Sequence, residues 1–377
     1  MRIVFCPAAF APAIGGSEAF TAGLAEAMLG RGAEVHVVAA DISAAEAFFE
    51  SGHTPTGQKA EDRIGDIAVH RIPLLPDRAR RWNEKTRKRS RRRFGRNLAK
   101  MLAHLDPDVV VALPHLFPNV EEVVQLRPGA RWRLVYAPHL HEEDPWWPRD
   151  RVAVAVQRSD GIIALTAHER DRLVASYGAN PARVAVVPPA VTVPPSFSAG
   201  RREPVVLFVG RRAASKRLDT LVDAMKIVWE SEPEARLVVA GPAESGAVDP
   251  LEAWRHDPRV EIHDAVSPPE RSALISAARV MASASVIESF GITTLEAWAH
   301  GTPVVIADTP VARSIVQHGE DGLLAERSAT GMAEQLLVVL RDPDRAAAMG
   351  RAGRKRVEDE FTWERSGQAL GELIEKL

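Results

Sequence analysis

The sequence has 377 residues but only one cysteine, Cys6. A single thiol excludes an internal disulfide framework and is typical of a reducing compartment, so we expect a soluble cytoplasmic protein. Because Cys6 lies in an apolar run at the N-terminus, we predict a buried, inert thiol and not a nucleophile. No apolar run approaches the roughly 20 residues that a membrane helix needs. The N-terminus also lacks the pattern of a signal peptide.

Several motifs of enzyme chemistry are absent. The sequence contains no HExxH, no Cys/His cluster with the spacing of zinc ligands, no GxSxG, no P-loop and no GxGxxG. These absences argue against zinc hydrolases, serine hydrolases of the GxSxG type, P-loop enzymes and nicotinamide enzymes. Two acidic pairs, Asp106-Pro-Asp108 and Asp342-Pro-Asp344, lie in proline turns, so we interpret them as turn residues and not as metal ligands. We therefore expect no metal site.

The remaining composition is that of an ordinary globular protein. Hydrophobic residues make up 46% of the chain and charged residues 26%, with a formal net charge of −2. This balance is typical of soluble domains. Because the chain is longer than one hydrophobic core usually supports, two domains are expected.

Short apolar runs alternate with helical stretches along the first half of the chain. The runs are apolar throughout, which is the pattern of parallel strands covered on both faces. The predicted strands are 2–6, 34–39, 108–113, 133–137, 161–165 and 184–187, and the predicted first helix is Ser17–Arg31. The alternation predicts a doubly wound, Rossmann-like α/β domain.

A second series of the same kind follows a stretch rich in proline, serine and glycine. Four prolines between 188 and 195, together with 196–200, indicate an interdomain linker. The second half is predicted to contain strands 205–209, 236–240, 260–262, 280–284 and 304–307 and a helix from Asp219 to Trp229. We predict a domain at 1–195, a second at 196–360, and a C-terminal helix in 361–377 that packs back on the first. Two such domains would face a ligand-binding cleft.

The segment Glu288–Glu296, Glu-Ser-Phe-Gly-Ile-Thr-Thr-Leu-Glu, is the strongest chemical signal. We expect a helix to begin near Thr293, so that its first N–H groups form an anion site. Gly291 would let a phosphate approach the backbone closely. The two carboxylates suit hydroxyls of a sugar and a ribose. The alternatives are a capping box of Thr293 with Glu296 and a solvated loop acid at Glu288.

A second motif, Val209-Gly210-Arg211 through Lys216, follows the first strand of the second half. Open α/β sheets bind ligands at this end of their strands. Arg211 offers a planar fork and Lys216 a point charge, and the two together suit a diphosphate. A solvated basic loop is the alternative.

The first half contains weaker signals. Gly15 and Gly16 precede a predicted helix, where they would cradle a phosphate or form a flexible loop with Ser17 as N-cap. Three histidines lie near predicted strand ends: His115, His139 and His141. One of them is expected to face the cleft, and the alternative for each is a structural residue.

Together these motifs resemble those of family GT4, the large group 1 family of retaining glycosyltransferases with the GT-B fold. The similarity covers nearly the whole chain. Four segments match the family pattern: Gly15–Glu18, Gly210–Lys216, the E-x7-E motif Glu288–Glu296 with its continuation to Val305, and Phe361-Thr-Trp363.

The resemblance implies a donor site. Arg211 and Lys216 would hold the donor diphosphate, Glu288 would contact the transferred sugar, and Glu296 the ribose hydroxyls. His139 matches the cleft histidine of the family, and His141 is the alternative. The base would lie near His263–Val266. The further donor contacts implied are Gly15, Gly16, Val266, Phe290, Gly291, Ile292, Thr293 and Thr294.

The resemblance also implies the reaction. Family members transfer a hexose from a UDP- or GDP-sugar with retention of anomeric configuration and without a required cofactor or metal. The usual proposal is departure and attack on the same face of the sugar, with the leaving phosphate helping to deprotonate the acceptor. The alternatives are a nucleotide-sugar epimerase of the same fold and a non-catalytic nucleotide-sugar-binding subunit.

The chain departs from the family pattern at two places. The family often has Pro-Asn-Gly-Val at the domain junction, where this chain has Pro188-Pro-Ala-Val191, and the loss of a glycine removes a residue that readily adopts positive φ. The family often has glycine where this chain has Arg217. An additional cation there would assist phosphate binding or point elsewhere.

The segment Arg78–Lys100 contains twelve Arg or Lys residues and one acid, Glu84, so it carries a formal charge of +11. Because the whole chain carries −2, the remaining residues carry −13. As a helix it would place five cations on one broad face, interrupted by Trp82, Phe94 and Leu98; the five are Arg81, Lys85, Arg89, Arg92 and Arg96. One hypothesis is docking on an anionic membrane at its inner face, which suits a lipid-linked acceptor. Others are recognition of a phosphorylated or acidic acceptor and a solvated helix. No nucleic-acid motif accompanies the segment, so no nucleic acid is expected.

Overall fold

A computed structural model of the chain describes residues 1–13, 15–43, 55–74, 84–115, 117–145, 147–195, 202–244 and 249–377, with the backbone alone for 84–87. These residues form two compact units. Unit 1 consists of Met1–Pro189 and Trp363–Leu377, and unit 2 of Ala190–Thr362. The first part of the basic segment, with Arg81 and Trp82, and the linker residues 196–200 lie outside the described residues.

The two units divide between 189 and 190, six residues before the boundary that the sequence suggested. The hydroxyl of Ser366, in unit 1, donates to the carbonyl of Pro188 at 2.7 Å. The guanidinium of Arg354, in unit 2, donates to the carbonyl of Pro194 at 2.8 Å. Residues 190–195 therefore belong with unit 2, because a side chain of that unit holds them.

Unit 1 is built on a sheet that has eight strands within the described ranges. The strands are β1 (Arg2–Cys6), β2 (Glu34–Ala40), β3 (Glu61–Ile64), β4 (Ile67–Ile72), β5 (Val109–Ala112), β6 (Arg133–Tyr136), β7 (Gly161–Ala164) and β8 (Val184–Val186). Their order is β3-β4-β2-β1-β5-β6-β7-β8. All neighbours are parallel except the edge pair β3–β4.

The helices of unit 1 are α1 (Gly16–Gly30), α2 (Glu84–Leu105), α3 (Pro118–Leu126), α4 (Arg149–Arg158), α5 (Ala167–Tyr177) and the last helix of the chain, α12 (Trp363–Glu375). A short 3-10 helix, Pro181–Arg183, precedes β8. Helix α12 packs on α1, where the ring of Trp363 lies directly over Gly23. The C-terminal helix thus lies against the first helix of the chain and belongs to unit 1.

Unit 2 contains a sheet of six parallel strands in the described part of the chain. These are β9 (Glu203–Val209), β10 (Arg236–Ala240), β11 (Val260–His263), β12 (Ala278–Ser283), β13 (Val304–Ala307) and β14 (Gly322–Ala325), in the order β11-β10-β9-β12-β13-β14. The helices are α6 (Leu218–Ser231), α7 (Pro268–Ala277), α8 (Ile292–Ala299), α9 (Pro310–Ile315), α10 (Ala329–Arg341) and α11 (Pro343–Glu360), with 3-10 turns at Ala214–Lys216 and Glu252–Trp254.

The predicted strands are all present, with small shifts at their ends, and the doubly wound prediction is confirmed for both halves. The prediction missed the β3–β4 hairpin, in which β3 alternates between exposed and half-buried residues and β4 between buried and half-buried ones. It also missed the four-residue strand β14. Cys6 is buried in β1, and this burial raises the pKa of its thiol.

Candidate functional site

Lys216 and Glu288 form a direct ion pair, with the Lys216 ammonium donating to Oε1 of Glu288. Lys216 ends the 3-10 turn that follows β9, and Glu288 lies in the loop after β12. A second contact joins the same two loops, since the hydroxyl of Ser285 lies 3.3 Å from the carbonyl of Ser215. Strands β9 and β12 are neighbours and parallel, so their carboxyl ends lie at one edge of the sheet. The two sequence motifs therefore meet.

Two glycines allow the chain to turn at this edge. Gly210 has φ 151° and Gly241 has φ 143°, a region that favours glycine. A Cβ on Gly241 would lie 2.0 Å from the carbonyl oxygen of Gly210. The loops after β9 and β10 consequently approach each other more closely than any other residue at position 241 would allow.

Helix α8 begins at Ile292, with Gly291 as N-cap at φ 92° and no side-chain cap. The N–H of Thr294 donates to the carbonyl of Gly291 at 2.9 Å. The Thr294 N–H is thereby engaged, whereas the N–H groups at the very start of a helix have no partner within it, so Ile292 and Thr293 keep the donors of an anion site. The capping-box alternative for Glu296 is wrong, because Thr293 lies inside the helix and the Glu296 side chain turns elsewhere.

The carboxylate of Glu296 is held by Arg271, whose Nη2 donates to its Oε2. Burial raises the pKa of Glu296 above its ordinary value, although the Arg271 guanidinium acts in the opposite direction. Arg271 lies on α7, which begins with a capping box of Ser267 and Glu270. Sequence reasoning missed Arg271, because it lies 25 residues before Glu296 on another helix and belongs to no motif.

Arg212, and not its neighbour Arg211, is the buried arginine of the Gly210 loop. Its side chain is fully buried and donates to the carbonyl of Gly241 at 2.6 Å. It also pairs with Asp249 and Asp264, and it holds the pKa of Asp264 below its ordinary value. Arg212 thereby ties together the segments that follow β10 and β11. The doublet of arginines after glycine was the available signal, but sequence alone does not indicate which of the two turns inward.

Arg211 is exposed, and Val266 and His263 are half-buried in the segment predicted to bind the base. The His263 ring lies 2.7 Å from the Glu261 carboxylate. The ring of Phe290 is buried and packs edge-on against Phe361, with 6.0 Å between centroids. The ring of Phe290 is therefore not available to a ligand.

Arg217 has φ 47°, the left-handed conformation that a glycine would adopt without strain. Its guanidinium donates to Asp219 at 3.1 Å and to the hydroxyl of Thr220 at 2.9 Å. The backbone thus keeps the shape typical of glycine at this position. The additional cation points along the first turn of α6.

A carboxylate lies beside the exposed glycine loop of unit 1. Gly15 is the extended N-cap of α1, and a Cβ on it would lie 2.2 Å from Oε2 of Glu18. Ser17 donates to the same oxygen at 3.0 Å and does not cap the helix, so the N-cap alternative for Ser17 is wrong. A phosphate beside the exposed Gly15 would meet the negative charge of the Glu18 carboxylate.

His139 has the left-handed backbone conformation, with φ 54°, and is 6% exposed. The edge of its ring meets Phe20 at 5.3 Å between centroids, and its buried Nε2 has no partner among the described residues. Burial lowers the pKa of His139 to about 3 and that of the buried His115 to about 4, so both rings are neutral at pH 7. His141 is partly exposed and lies beside Trp147.

Residues 84–100 of the basic segment lie in α2, of which side chains are described from residue 88 onward. Between 88 and 100 every exposed residue is Lys or Arg: Lys88, Arg89, Arg92, Arg93, Arg96 and Lys100. Phe94 and Leu98 are each 1% exposed and belong to the core of unit 1, so they do not interrupt the charged face as predicted. Arg91 pairs with Glu121 on α3. No helix in the described ranges is long and apolar enough to cross a membrane.

One aspartate of each acidic pair accepts from a backbone N–H, Asp108 from a residue 106 positions away and Asp342 within its own helix. Asp108 accepts from the backbone N–H of Arg2 at 2.7 Å. Asp342 is the N-cap of α11 and accepts from the N–H of Arg345 at 2.9 Å. Within the part of the chain that is described, no group of three His, Cys, Asp or Glu side chains could hold a metal ion.

Solved structures identify the class of fold. Sucrose-phosphate synthase from Thermosynechococcus elongatus has a TM-score of 0.82 to this chain at 20% identity, covering 100% of this chain and 98% of its own. Anabaena HepE in complex with UDP and glucose has a TM-score of 0.77 at 19% identity, covering 100% of both chains. The fold is GT-B, as predicted.

Sequence comparisons identify the family. The family model Glycosyltransferase Family 4 matches residues 14–193, and the model Glycosyl transferases group 1 matches residues 194–356. The D-inositol 3-phosphate glycosyltransferase of Gordonia bronchialis is 34% identical over 240 residues, 57% of this chain and 52% of that protein. The corresponding protein of Xylanimonas cellulosilytica is 37% identical over 239 residues, 57% of this chain and 56% of that protein. The chain spans about half the length of these relatives and belongs to the group 1 glycosyltransferases.

Proposed function

We propose that this protein transfers a hexose from a UDP- or GDP-sugar to an acceptor hydroxyl, with retention of anomeric configuration. The observation that carries the proposal is the convergence, at one sheet edge of unit 2, of Lys216, Glu288 and the N-terminus of α8. A cation and free backbone N–H groups suit a diphosphate. A nearby carboxylate suits the hydroxyls of a sugar.

The donor site is assigned residue by residue. Lys216 and the exposed Arg211 bind the diphosphate, together with the backbone N–H groups of Ile292 and Thr293. Glu288 contacts the sugar, and Glu296 accepts from the ribose hydroxyls. HepE is a protein of the same fold, and its complexes with UDP and with UDP-glucose support a nucleotide sugar as the ligand class.

In the proposed reaction, the bond from the anomeric carbon to the diphosphate oxygen breaks. A bond from the acceptor oxygen to the same carbon forms on the same face. The acceptor proton passes to the departing phosphate oxygen, and Lys216 and Arg211 stabilise the negative charge that develops there. Because these two cations carry out the charge neutralisation, we propose that transfer requires neither a bound metal nor a cofactor. His139 is assigned to the reaction centre as a neutral hydrogen-bonding group.

The donor site is tested by thermal shift and calorimetry with UDP, GDP, ADP and CDP, each with and without EDTA. Saturation at about a hundred times the Kd stabilises a protein by about 2.7 kcal/mol. We expect a shift with one nucleotide that EDTA does not change and that Lys216→Ala and Glu296→Ala abolish. Lys355→Ala is the matched control, since that exposed lysine of unit 2 pairs only with Asp359 among the described contacts. If no nucleotide shifts the protein, the proposal fails.

Turnover separates the proposal from its alternatives. Incubation with the donor sugar and no acceptor would yield an isomerised sugar only from an epimerase. A protein that binds the donor but neither transfers nor isomerises it would be a binding subunit. Retention is read from the anomeric configuration of the product by NMR. Removal of activity by EDTA, with restoration by a divalent cation, would contradict metal independence.

For the acceptor, we propose a hydroxyl carried on an anionic or lipid-linked molecule that the protein meets at an anionic membrane surface. The exposed face of α2 described above is entirely basic from 88 to 100. Each such residue near an anionic surface contributes about 1 kcal/mol. Because Phe94 and Leu98 are buried in the core, attachment through residues 88–100 is electrostatic and does not use these two apolar side chains.

Co-sedimentation with vesicles tests the membrane surface. We expect binding to vesicles with anionic lipid at low salt, none to neutral vesicles, and release at about 1 M salt, where charges are screened within about 3 Å. The triple change of Arg92, Arg93 and Arg96 to Glu should abolish binding. The same change at three exposed cations of α11 should not: Arg345, Arg351 and Lys355. Absence of binding by the unaltered protein, with transfer to a soluble acceptor such as D-inositol 3-phosphate, would exclude the membrane.

A further inference from the structure

The segment that follows β6 holds a histidine in a strained conformation. His139 has φ 54°, and for a residue other than glycine the left-handed region costs about 1–2 kcal/mol. Such a conformation persists only where the surroundings impose it. The residues before His139 are tied to the neighbouring strand β5, because the N–H of Ala137 donates to Ala112 and the N–H of His115 donates to the carbonyl of Pro138.

The residue after His139 is tied to a buried carboxylate. Oε1 of Glu169 accepts from the N–H of Leu140 at 2.7 Å, across 29 residues of sequence. Its Oε2 accepts from the N–H of Leu165 at 2.6 Å, at the end of β7. Glu169 is 3% exposed and lies in the first turn of α5, where its own N–H donates to the hydroxyl of the N-cap Thr166 at 3.0 Å.

We propose that Glu169 is a positioning residue for His139. The carboxylate anchors the Leu140 N–H to the end of β7 and so imposes the left-handed turn that aims the His139 ring. This inference rests on the proposed function only in assigning that ring to the reaction centre. Glu169 itself touches neither donor nor acceptor, and acts through the backbone on either side of His139.

The chemistry of a carboxylate explains why glutamate suits this position. Each of its two oxygens accepts one N–H, and the two donors belong to different segments of the chain. A glutamine would offer one acceptor oxygen and turn an N–H2 group toward the other donor. An aspartate is shorter by one methylene and would not reach both. A buried N–H without an acceptor is strongly unfavourable, so the loop would move to find another partner.

The test compares Glu169→Gln and Glu169→Asp with Thr166→Ala as control. The control removes the cap of the same helix but leaves both contacts of the carboxylate. We expect Glu169→Gln and Glu169→Asp to lower kcat by about tenfold or more, with UDP or GDP affinity unchanged, because the nucleotide contacts lie in unit 2. Thr166→Ala should retain kcat. Equal losses of kcat in all three variants would indicate general destabilisation of α5 and overturn the proposal.

A double-mutant cycle isolates the route through His139. If Glu169 acts by positioning that ring, Glu169→Gln combined with His139→Ala should be no slower than His139→Ala alone. If the fold-losses of kcat of the two single variants multiply in the double variant, Glu169 has a role independent of His139 and the inference is overturned.

A readout independent of turnover separates this inference from the proposed function. The ring signals of His139, in 15N-labelled protein without ligand, should shift in Glu169→Gln and remain unchanged in Thr166→Ala. Unchanged signals in Glu169→Gln would overturn the positioning role, whatever the activity. Shifted signals together with full transfer by His139→Ala would leave the positioning role intact and contradict only the assignment of His139 to the reaction centre.

Discussion

The ammonium of Lys216 donates to the carboxylate of Glu288 across 72 residues of sequence. The side chains are 27% and 28% exposed, so the pair is neither fully solvated nor sealed in the core. In the proposed donor complex, these two side chains have different partners, phosphate for the lysine and sugar for the glutamate. Without donor they neutralise each other, so donor binding has to exchange this internal pair for two external contacts.

Glu288→Gln should therefore have opposite effects on nucleotide binding and on transfer. Ion pairs of this exposure contribute about 0.5–1 kcal/mol, so releasing Lys216 should tighten UDP or GDP binding by about two- to fivefold. Transfer should fall, because the sugar loses its carboxylate. Calorimetry with nucleotide and initial rates with the nucleotide sugar measure the two effects. Weaker nucleotide binding by Glu288→Gln would contradict the exchange of partners.

Arg271→Ala should make nucleotide affinity dependent on pH. Burial raises the pKa of Glu296, and Arg271 is the cation that opposes this rise. Without Arg271, the folded-state pKa rises further, so the carboxyl is protonated at low pH and becomes ionised as the pH increases. An ionised carboxylate accepts two hydroxyl hydrogen bonds better than the acid does. Nucleotide affinity of the variant should consequently be weaker at acid pH and recover as the pH rises, whereas the unaltered protein should show this dependence less strongly.

Two controls sharpen this measurement by calorimetry. Adding Glu296→Gln to Arg271→Ala should remove the pH dependence, because the titrating group is gone. Ser272→Ala, one residue further along α7, removes only the contact with His300 and should behave as the unaltered protein. A pH dependence that survives Glu296→Gln would assign the titration to another group.

Acid should destabilise unit 1 through its buried histidines. Burial lowers the pKa of His115 to about 4 and of His139 to about 3, below the ordinary value of about 6.5 in an unfolded chain. Above pH 6.5 neither state is protonated and stability is unaffected. As the pH falls below 6.5 the unfolded chain takes up protons that the folded protein excludes, so the free energy of unfolding falls by about 1.4 kcal/mol per pH unit per histidine.

His115→Phe measures how much His115 contributes to this acid-dependent fall in the free energy of unfolding. Between pH 7 and pH 5 the free energy of unfolding of the variant should fall by about 2 kcal/mol less than that of the unaltered protein. For a unit of this size, this corresponds to a difference of roughly 5 °C in the midpoint of thermal unfolding. The exposed His104 of α2 is the control, and His104→Gln should not change the pH dependence by this amount. Identical acid sensitivity in His115→Phe would show that His115 is protonated in the folded protein.

Gly23→Ala should destabilise unit 1 although alanine favours helices. A Cβ at position 23 of α1 would lie 2.2 Å from the ring of Trp363, so the indole would have to move and α12 with it. Overpacking of this kind costs about 1–3 kcal/mol. Gly30→Ala in the same helix has no atom within 4 Å of the new Cβ and should be neutral or stabilising by up to about 1 kcal/mol. Equal midpoints of thermal unfolding for Gly23→Ala and Gly30→Ala would contradict the close contact between Gly23 and the Trp363 ring.

The sequence was sufficient for elements whose signal is local. An apolar run such as Val109–Ala112 is recognisable because all of its side chains are buried. The turn at Gly291 is recognisable because only glycine adopts φ 92° without strain. The hairpin β3–β4 was missed since the residues of β3 are exposed or half-buried. The domain boundary was predicted after 195 but lies after 189, because the guanidinium of Arg354 on α11 holds Pro194 in unit 2.

The two α/β series, the positions of the Gly210–Lys216 and Glu288–Glu296 motifs, and the family to which the chain belongs are all readable from the amino-acid sequence. The partners of the charged side chains are not, and they follow from the fold. Lys216 with Glu288, Arg271 with Glu296, and Glu169 with the Leu140 N–H are pairs separated by 72, 25 and 29 residues. Periodicity and turn chemistry act over a few residues, whereas parallel strands bring distant loops to the same edge of a sheet. Which side chains meet there depends on strand order and register, and no local pattern encodes either.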